Sequence, residues 1–328
     1  MKMIMNNFGE LKGVVIAVTG AGGYIGSQIV KALSGFGAKI LCVSRNQLSI
    51  SGQNEWIKGD VSDYELWLRI ITQAQIVFHL AGNTSVYDAE RDVAGSLNAN
   101  VLPIGHIINA AKNLRKHPKI IFTSTATIYG LTNELPVSES AKASPITFYD
   151  LHKYFAEMQL MLATQQGILD ATSLRLSNVY GPSDSKSSSL DRGILNKVSL
   201  MALEGKVLNI YGDGNYTRDY IFISDVIDAL LIAAVTPKLS SGVYNIGSAS
   251  GTTVKNAFEF AINIAENITG AKIELAHVPW ASEVHPIEKR NFVADISRFQ
   301  EATGWHPEVN IESGLKLLID SYKNRTKL

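Results

Sequence analysis

Val14-Val-Ile-Ala-Val-Thr-Gly-Ala-Gly-Gly-Tyr-Ile-Gly-Ser27 is the stretch whose reading decides the fold. A β-branched apolar run, Val14 to Thr19, stops at Gly20, Gly23 and Gly26, which stand at G-x-x-G-x-x-G spacing, and a helical stretch from Tyr24 to Phe36 follows. Glycines at a strand-to-helix junction let the backbone turn tightly and approach a pyrophosphate, while the free N–H groups and positive end of the helix accept its charge. A glycine triplet alone would be an ordinary turn; the strand before it and the helix after it make it a dinucleotide site. Tyr24 and Ile25, inside the turn, belong to the same wall.

Working outward, β-branched runs keep alternating with helical stretches to about residue 176. Strands are expected at Ile40 to Val43, Ile76 to Leu80, Lys119 to Thr123 and Ala171 to Arg175, with another short one before Gly59, and helices at Leu97 to Lys116 and Phe148 to Gln165. Such alternation means crossover units and a parallel sheet covered on both faces. Past Arg175 the Ser-rich stretch Gly181 to Ser189 reads as a flexible or ligand-ordered loop. A smaller region follows, with helices near Leu190 to Leu203, Asp225 to Val235, Thr253 to Asn267 and Ile311 to Tyr322. Its short strands fall at Val207 to Ile210, Val243 to Ile246 and Ile273 to Val278.

Bulk composition removes several function classes. Lys+Arg and Asp+Glu balance at 30 each, so no net field attracts nucleic acid or an anionic membrane. The single cysteine, Cys42, lies in an apolar run and has no internal partner, which suits a reducing compartment. The first residues, Met1 to Gly13, lack an apolar segment with a small-residue cleavage site, so a cytoplasmic protein is expected. No apolar stretch approaches the roughly 20 residues of a membrane span. Histidines are scattered rather than paired at i,i+4, so no metal site is expected.

The end of the second strand separates the two nicotinamide cofactors, because a carboxylate there grips the ribose 2′-OH whereas an arginine accommodates a 2′-phosphate. Here Ser44 and Arg45 stand where the acid would be, so NADP is favoured over NAD. Downstream, Asp60 and Val61 follow the third strand, where a carboxylate could meet the adenine amine.

Tyr149-Asp-Leu-His-Lys153 places a tyrosine and a lysine at i,i+4 on one helix face. With 12 tyrosines such a spacing can arise by chance, so position decides its meaning. It sits on the helix after the strand that runs into the hydroxyl-rich Phe122-Thr-Ser-Thr-Ala-Thr-Ile-Tyr-Gly130, beside the expected nicotinamide. Moving a hydride from a carbinol requires a base for the hydroxyl proton. A tyrosine becomes usable when an ammonium and a positive ring favour its phenolate.

With these residues in view, the chain resembles the extended short-chain dehydrogenase/reductase family, in its nucleotide-sugar epimerase and dehydratase branch. The likeness runs through Thr19-Gly-Ala-Gly-Gly-Tyr-Ile-Gly26, His79-Leu-Ala-Gly82, Asn100-Val101, Ser124-Thr-Ala-Thr-Ile-Tyr-Gly130, Tyr149-x-x-x-Lys153 and Arg175-Leu-Ser-Asn-Val-Tyr-Gly-Pro182. It continues through Tyr211-Gly-Asp-Gly-Asn-Tyr-Thr-Arg-Asp-Tyr220, Asp225-Val226, Tyr244-Asn-Ile-Gly247 and Ala294-Asp295. The resemblance implies an α/β fold: a Rossmann-type doubly wound parallel sheet with a smaller mixed α/β C-terminal substrate-binding domain. Residues 1–180 would bind the dinucleotide, with segments near 220–247 packing back onto them, and residues 181–328 would bind a nucleotide-diphosphate sugar. It further implies Tyr149 as catalytic base, Lys153 as its partner and Thr125 as the triad hydroxyl, with Ser124 the other candidate. Leu80, Ala81, Gly82 and Asn100 would line the cofactor. Thr84, Ser85 and Val86 would touch the sugar, and Asn178, Arg218 and Arg192 its diphosphate. The family's late phosphate-binding arginine falls at His285, with Arg290 as the alternative. A homodimer through the helices at Leu97 to Lys116 and Phe148 to Gln165 is the default assembly.

Departures from the family pattern narrow the reaction. Dehydrating members carry Asp-Glu after the triad hydroxyl and decarboxylating members a Glu, whereas this chain has Ala126 and Thr127. The resemblance therefore implies hydride chemistry: a 4-epimerase, with an NADPH-dependent 4-keto-sugar reductase as rival and a non-catalytic cofactor-binding sensor as a third reading.

Overall fold

The computed structural model describes residues 11–49, 52, 54–132, 134–183, 193–239, 241–280 and 284–326. Its first half holds β1 (Val15–Thr19), α1 (Tyr24–Ser34), β2 (Lys39–Ser44), β3 (Glu55–Lys58), α2 (Tyr64–Gln73), β4 (Ile76–His79), α3 (Val86–Arg91), α4 (Val93–Asn100), α5 (Leu102–Leu114) and β5 (Lys119–Thr125). A 3-10 turn (Ala126–Tyr129) leads on to α6 (Phe148–Gln165), β6 (Asp170–Leu176) and β7 (Asn178–Tyr180). The rest comprises α7 (Ile194–Leu203), β8 (Leu208–Tyr211), β9 (Thr217–Phe222), α8 (Ile223–Val235), β10 (Gly242–Ile246), β11 (Gly251–Thr253), α9 (Val254–Thr269), β12 (Leu275–Val278), α10 (Ser297–Thr303) and α11 (Ile311–Thr326).

Seven strands pair in the order β10-β6-β5-β4-β1-β2-β3, all parallel, giving a Rossmann-type doubly wound sheet. Alternation along each strand divides the apolar residues between two faces. Ile16, Val18, Phe78 and Ile121 join α1 and α8 in one core, while Ala17, Val77, Ile120 and Phe122 join α2, α5 and α6 in the other. The chain steps outward from β1 to β2 and then returns to β4 on the other side of β1. That reversal opens a crevice at the strand ends where ligands bind in such sheets. Smaller sheets, β11-β9-β7 and β12-β8, stand beside it. Leu195, Phe258 and Leu315 of the smaller part lie in the same continuous core as Ile16.

One reading of the chain is corrected. The helix expected from Leu97 to Lys116 is broken into α4 and α5 at Val101, because Pro103 lacks the N–H that would continue the ladder. Val243 to Ile246, one of the segments near 220–247 expected to pack back, forms the edge strand β10 of the main sheet, paired with β6. β9 escaped notice because Thr217, Arg218 and Asp219 give it a polar start. Asp219 is buried nonetheless: its carboxylate accepts from Ser248 N at 2.7 Å, Ser248 Oγ at 2.8 Å, Ala249 N at 3.2 Å and Ala294 N at 3.0 Å. Among the described residues no helix is long and apolar enough to cross a membrane.

A buried ion pair ties α6 to β6. Arg175 Nε donates to Glu157 Oε1 at 3.0 Å and Nη2 to Oε2 at 2.7 Å, and the guanidinium lies over the Tyr129 ring, 4.9 Å from its centroid. Glu157→Gln would leave the Arg175 charge buried and uncompensated, so a loss of about 3–5 kcal/mol is expected in chemical denaturation. A loss below about 1 kcal/mol would show that the pair does not anchor the helix.

Candidate active site

Two cavities open on either side of Tyr149. The first, of about 870 Å³, follows the C-terminal ends of β1, β2, β4 and β5. Its floor is the glycine turn. Gly20 adopts φ +68°, and a Cβ there would lie 3.0 Å from Ala81 N, while a Cβ on Gly26 would fall 2.0 Å from Gly20 O. The turn thus admits only bare backbone, and it presents the start of α1 to the cavity, as a pyrophosphate requires. Thr19 Oγ1 accepts from Leu80 N and Ala81 N at 3.2 Å each and contacts His79 Nδ1 at 2.8 Å, fixing the opposite wall. Burial, then the Lys153 charge, pushes the His79 imidazole down to about 3, so it is neutral and receives the Thr19 proton.

Gly20, Gly23, Tyr24, Ile25, Gly26, Ser44, Arg45, Asp60, Val61, Leu80, Ala81, Gly82, Tyr149 and Lys153 all line this cavity. The Tyr24 hydroxyl is turned to the interior, donating to Gly181 O at 2.9 Å. The Ser44 hydroxyl is already engaged, donating to Asn46 O at 2.6 Å and accepting from Trp56 Nε1 at 3.0 Å. Arg45 is largely exposed and lies 4.0 Å from Asp60 Oδ2. The Ser62 amide holds the Asp60 carboxyl below its usual range, and Arg45 adds to the shift. Asn100 stands behind the wall instead: Nδ2 donates to Asn83 O at 3.2 Å, and Oδ1 would be 2.5 Å from a Cβ on Gly82.

Thr125 ends β5, and Tyr149 and Lys153 occupy adjacent turns of α6, whose N-cap Thr147 accepts from Asp150 N at 3.0 Å. Lys153 Nζ sits over the Phe122 ring, 4.3 Å from its centroid. Desolvation brings this ammonium down to about 8, against the pull of Glu157. The Tyr149 phenol is pushed well above its ordinary value by burial and then by the Asp150 charge, with Thr125 opposing. The sequence reading expected the ammonium and a positive nicotinamide ring to favour the phenolate; among the groups of the chain, burial and Asp150 dominate. Thr125 Oγ1 lies 2.7 Å from Thr127 Oγ1, whose proton goes to Asp150 Oδ1. Ser124 lines the first cavity only, whereas Thr125 lines both.

The second cavity, of about 1040 Å³, meets the first at Thr84, Ser85, Thr125, Tyr149, Leu176 and Ser177. Val86, Asn178 and Arg218 line it as well. Arg218 Nη1 donates to Thr217 O at 3.2 Å and Nη2 to Glu288 O at 2.6 Å, and the group also contacts Arg290 O. Desolvation, then Arg290, brings Arg218 down to about 10. Arg290 donates to Ile287 O at 3.0 Å and lies 3.5 Å from Asn178 Oδ1. Neither arginine has a carboxylate ion-pair partner among the described residues, so the charges of buried Arg218 and half-buried Arg290 suit an anion in the cavity. His285 does not line it; its Nδ1 caps a 3-10 turn by accepting from Ile287 N at 3.2 Å. Arg192 lies outside the described residues.

Sequence reasoning missed the aromatic wall. Trp280 stacks on Tyr211 at 5.5 Å between ring centroids and meets Tyr216 edge-on at 5.9 Å. The two tyrosines flank Gly212 and Gly214, a possible signal, but Trp280 lies some 65 residues downstream with no motif around it. Lys197, on α7, also lines this cavity and was not singled out.

Comparison with known proteins gives a consistent picture. The model of the NAD dependent epimerase/dehydratase family matches residues 16–247. The chain is 28% identical over 324 residues to the UDP-glucose 4-epimerase of Mycolicibacterium smegmatis, covering 94% of this chain and 99% of that one. It is 29% identical over 322 residues to a UDP-N-acetyl-alpha-D-glucosaminuronate decarboxylase of Bacillus cytotoxicus, covering 93% and 97%. Among solved structures, the UDP-glucose 4-epimerase of Thermotoga maritima with UDP-glucose superposes with TM-score 0.84 at 29% identity, covering 95% of this chain and all of that one. MoeE5 in complex with UDP-glucose and NAD superposes with TM-score 0.82 at 26% identity, covering 96% and 100%.

Lys153 gives the site a stability signature. Its folded value, about 8, lies below that of the unfolded chain, so between about pH 8 and pH 10.5 the unfolded state binds more protons and stability rises with pH. In cofactor-free protein this residue should contribute a gain on the order of 3 kcal/mol across that window. Urea unfolding against pH should show that much less gain for Lys153→Met than for the wild type.

Proposed function

The chain belongs to the NAD dependent epimerase/dehydratase family, and from that premise we propose that it epimerises a nucleotide-diphosphate sugar at C4 through a transient keto sugar. One observation carries this reading: Thr125 and Tyr149 stand on the shared wall of the dinucleotide cavity and the larger second cavity, with Lys153 one helical turn behind. Tyr149 takes the C4 hydroxyl proton during oxidation and returns it when the keto oxygen is reduced. Thr125 fixes the reacting oxygen, and Arg218 with Arg290 holds the diphosphate so that the sugar alone can turn over. A bound nicotinamide supplies the hydride acceptor and a positive charge that favours the phenolate. No carboxylate follows Thr125 on the strand end, where Ala126 and Thr127 stand, and this supports hydride chemistry over water elimination.

We read the cofactor as NADP, with NAD as the alternative, because Arg45 is exposed at the cavity edge and no acid ends β2. The same residue supports the second reading, an NADPH-dependent 4-keto-sugar reductase, since net reduction needs a cofactor that exchanges. Residues 1–180 would hold the dinucleotide and residues 181–328 the sugar nucleotide. Exposed Leu97, Phe155, Met161 and Leu162 on α4 and α6 support a homodimer.

The test is to identify the nucleotide released on denaturation, then incubate native protein with nucleotide-sugars and no added cofactor. Isomerised sugar at constant nicotinamide absorbance is expected. NADPH consumption seen only with a 4-keto sugar would give the reductase instead. Tyr149→Phe is expected to lower kcat by about 10²–10⁴-fold. Arg45→Ala is expected to weaken NADP binding about tenfold while leaving NAD binding within about twofold, as measured by calorimetry.

A further inference from the structure

Asp150 is wholly buried, yet the fold makes little use of its carboxylate. Its backbone N–H is capped by Thr147, whose hydroxyl also favours the charged carboxylate, Oδ1 receives the Thr127 hydroxyl, and Oδ2 has no partner within hydrogen-bond distance. An interior carboxylate with one free oxygen is a costly way to fill space, which points to a role at the adjoining site.

Counting protons gives that role. A threonine hydroxyl has a single proton to donate. Thr127 spends its proton on Asp150, so the 2.7 Å contact between Thr125 Oγ1 and Thr127 Oγ1 must be donated by Thr125. Thr125 Oγ1 also accepts from Thr127 N at 3.2 Å. One lone pair remains on Thr125, which lines both cavities beside Tyr149.

We propose that Asp150 is a positioning residue: through Thr127 it fixes the direction of the hydroxyl chain, so that Thr125 meets Tyr149 and the sugar as an acceptor. This rests on the reading of Thr125 and Tyr149 as the groups that face the reacting carbon. Thr125 then takes a hydrogen bond from the C4 alcohol or from the neutral phenol and has no proton left for a keto oxygen, so its contact with Tyr149 can favour the phenolate only once that proton is freed. Tyr149 alone serves the ketone. The charged and titratable groups facing this chain are Arg290 and His285, whose charges act on Asp150, and Tyr149 and Lys153 on Asp150's own helix.

The experiment replaces Tyr149 with a trifluorotyrosine, whose acidified phenol titrates in an accessible range, and follows it by fluorine NMR in the full-length protein. If the chain is directed from Asp150, Asp150→Ala and Thr127→Val each free the Thr125 proton to stabilise the phenolate. Both should then lower the titration midpoint by about one pH unit or more, and Thr127→Ser should leave it within a few tenths. A shift with Asp150→Ala but none with Thr127→Val would mean that Asp150 acts through space, and would overturn the proposal. So would a shift with Thr127→Val alone, or with neither. Should Asp150→Ala fail to fold, the contrast between Thr127→Val and Thr127→Ser decides. The titration needs no sugar, so a protein that converts no nucleotide-sugar would defeat the proposed function while leaving this result readable. Where turnover is found, both variants should lower kcat about tenfold with KM held within about twofold.

Discussion

The bidentate contact between Glu157 and Arg175 sets the geometry on which the site depends. In the sheet register Arg175 lies opposite Ser124, one residue from Thr125, while Glu157 sits one turn beyond Lys153 and two beyond Tyr149 on α6. The pair therefore joins the end of the strand that carries the hydroxyl to the helix that carries the phenol and the ammonium. Both groups are stripped of water. In that environment a two-point, planar contact tolerates little rotation, so it fixes the helix by angle as well as by distance.

Charge is distributed around that frame in two opposed fields. On one side Arg218 and Arg290 are crowded together, with backbone carbonyls as their main partners, and each is made less willing to stay charged. An anion held there would offset the cost of keeping these two charges out of water. On the other side burial, and after it Asp150, works against ionisation of Tyr149. A site arranged this way holds its base in reserve while no partner is present.

The parts of this structure that were legible from sequence are those built from neighbours in the chain. The glycine turn declared itself because its steric demand is local, and α6 covers the Phe148 to Gln165 expected for it, with Thr147 capping its start. Polar strand residues hid β9, whose Asp219 is satisfied by amides from loops around residues 248 and 294. The hydroxyl chain could not be foreseen, since Thr127 and Asp150 are 23 residues apart and meet only when α6 docks on β5. The arginine near the end of the chain was misplaced for the same reason: the resemblance put His285 first and Arg290 second, whereas Arg290 lines the cavity and His285 caps the turn before it.

The apolar core runs without a break from the parallel sheet into the smaller part, with Leu195, Phe258 and Leu315 packed in the cluster that holds Ile16 and Phe78. Two bodies that share one dry interior do not swing apart like the halves of a clam, because each degree of opening would wet the surface that joins them. Traffic through the site is left to side chains and short loops at the cavity rim, whose rearrangements are faster and smaller than those of whole domains. Any slow step at the site would then lie in the movement or release of what is bound, with the architecture around it standing still.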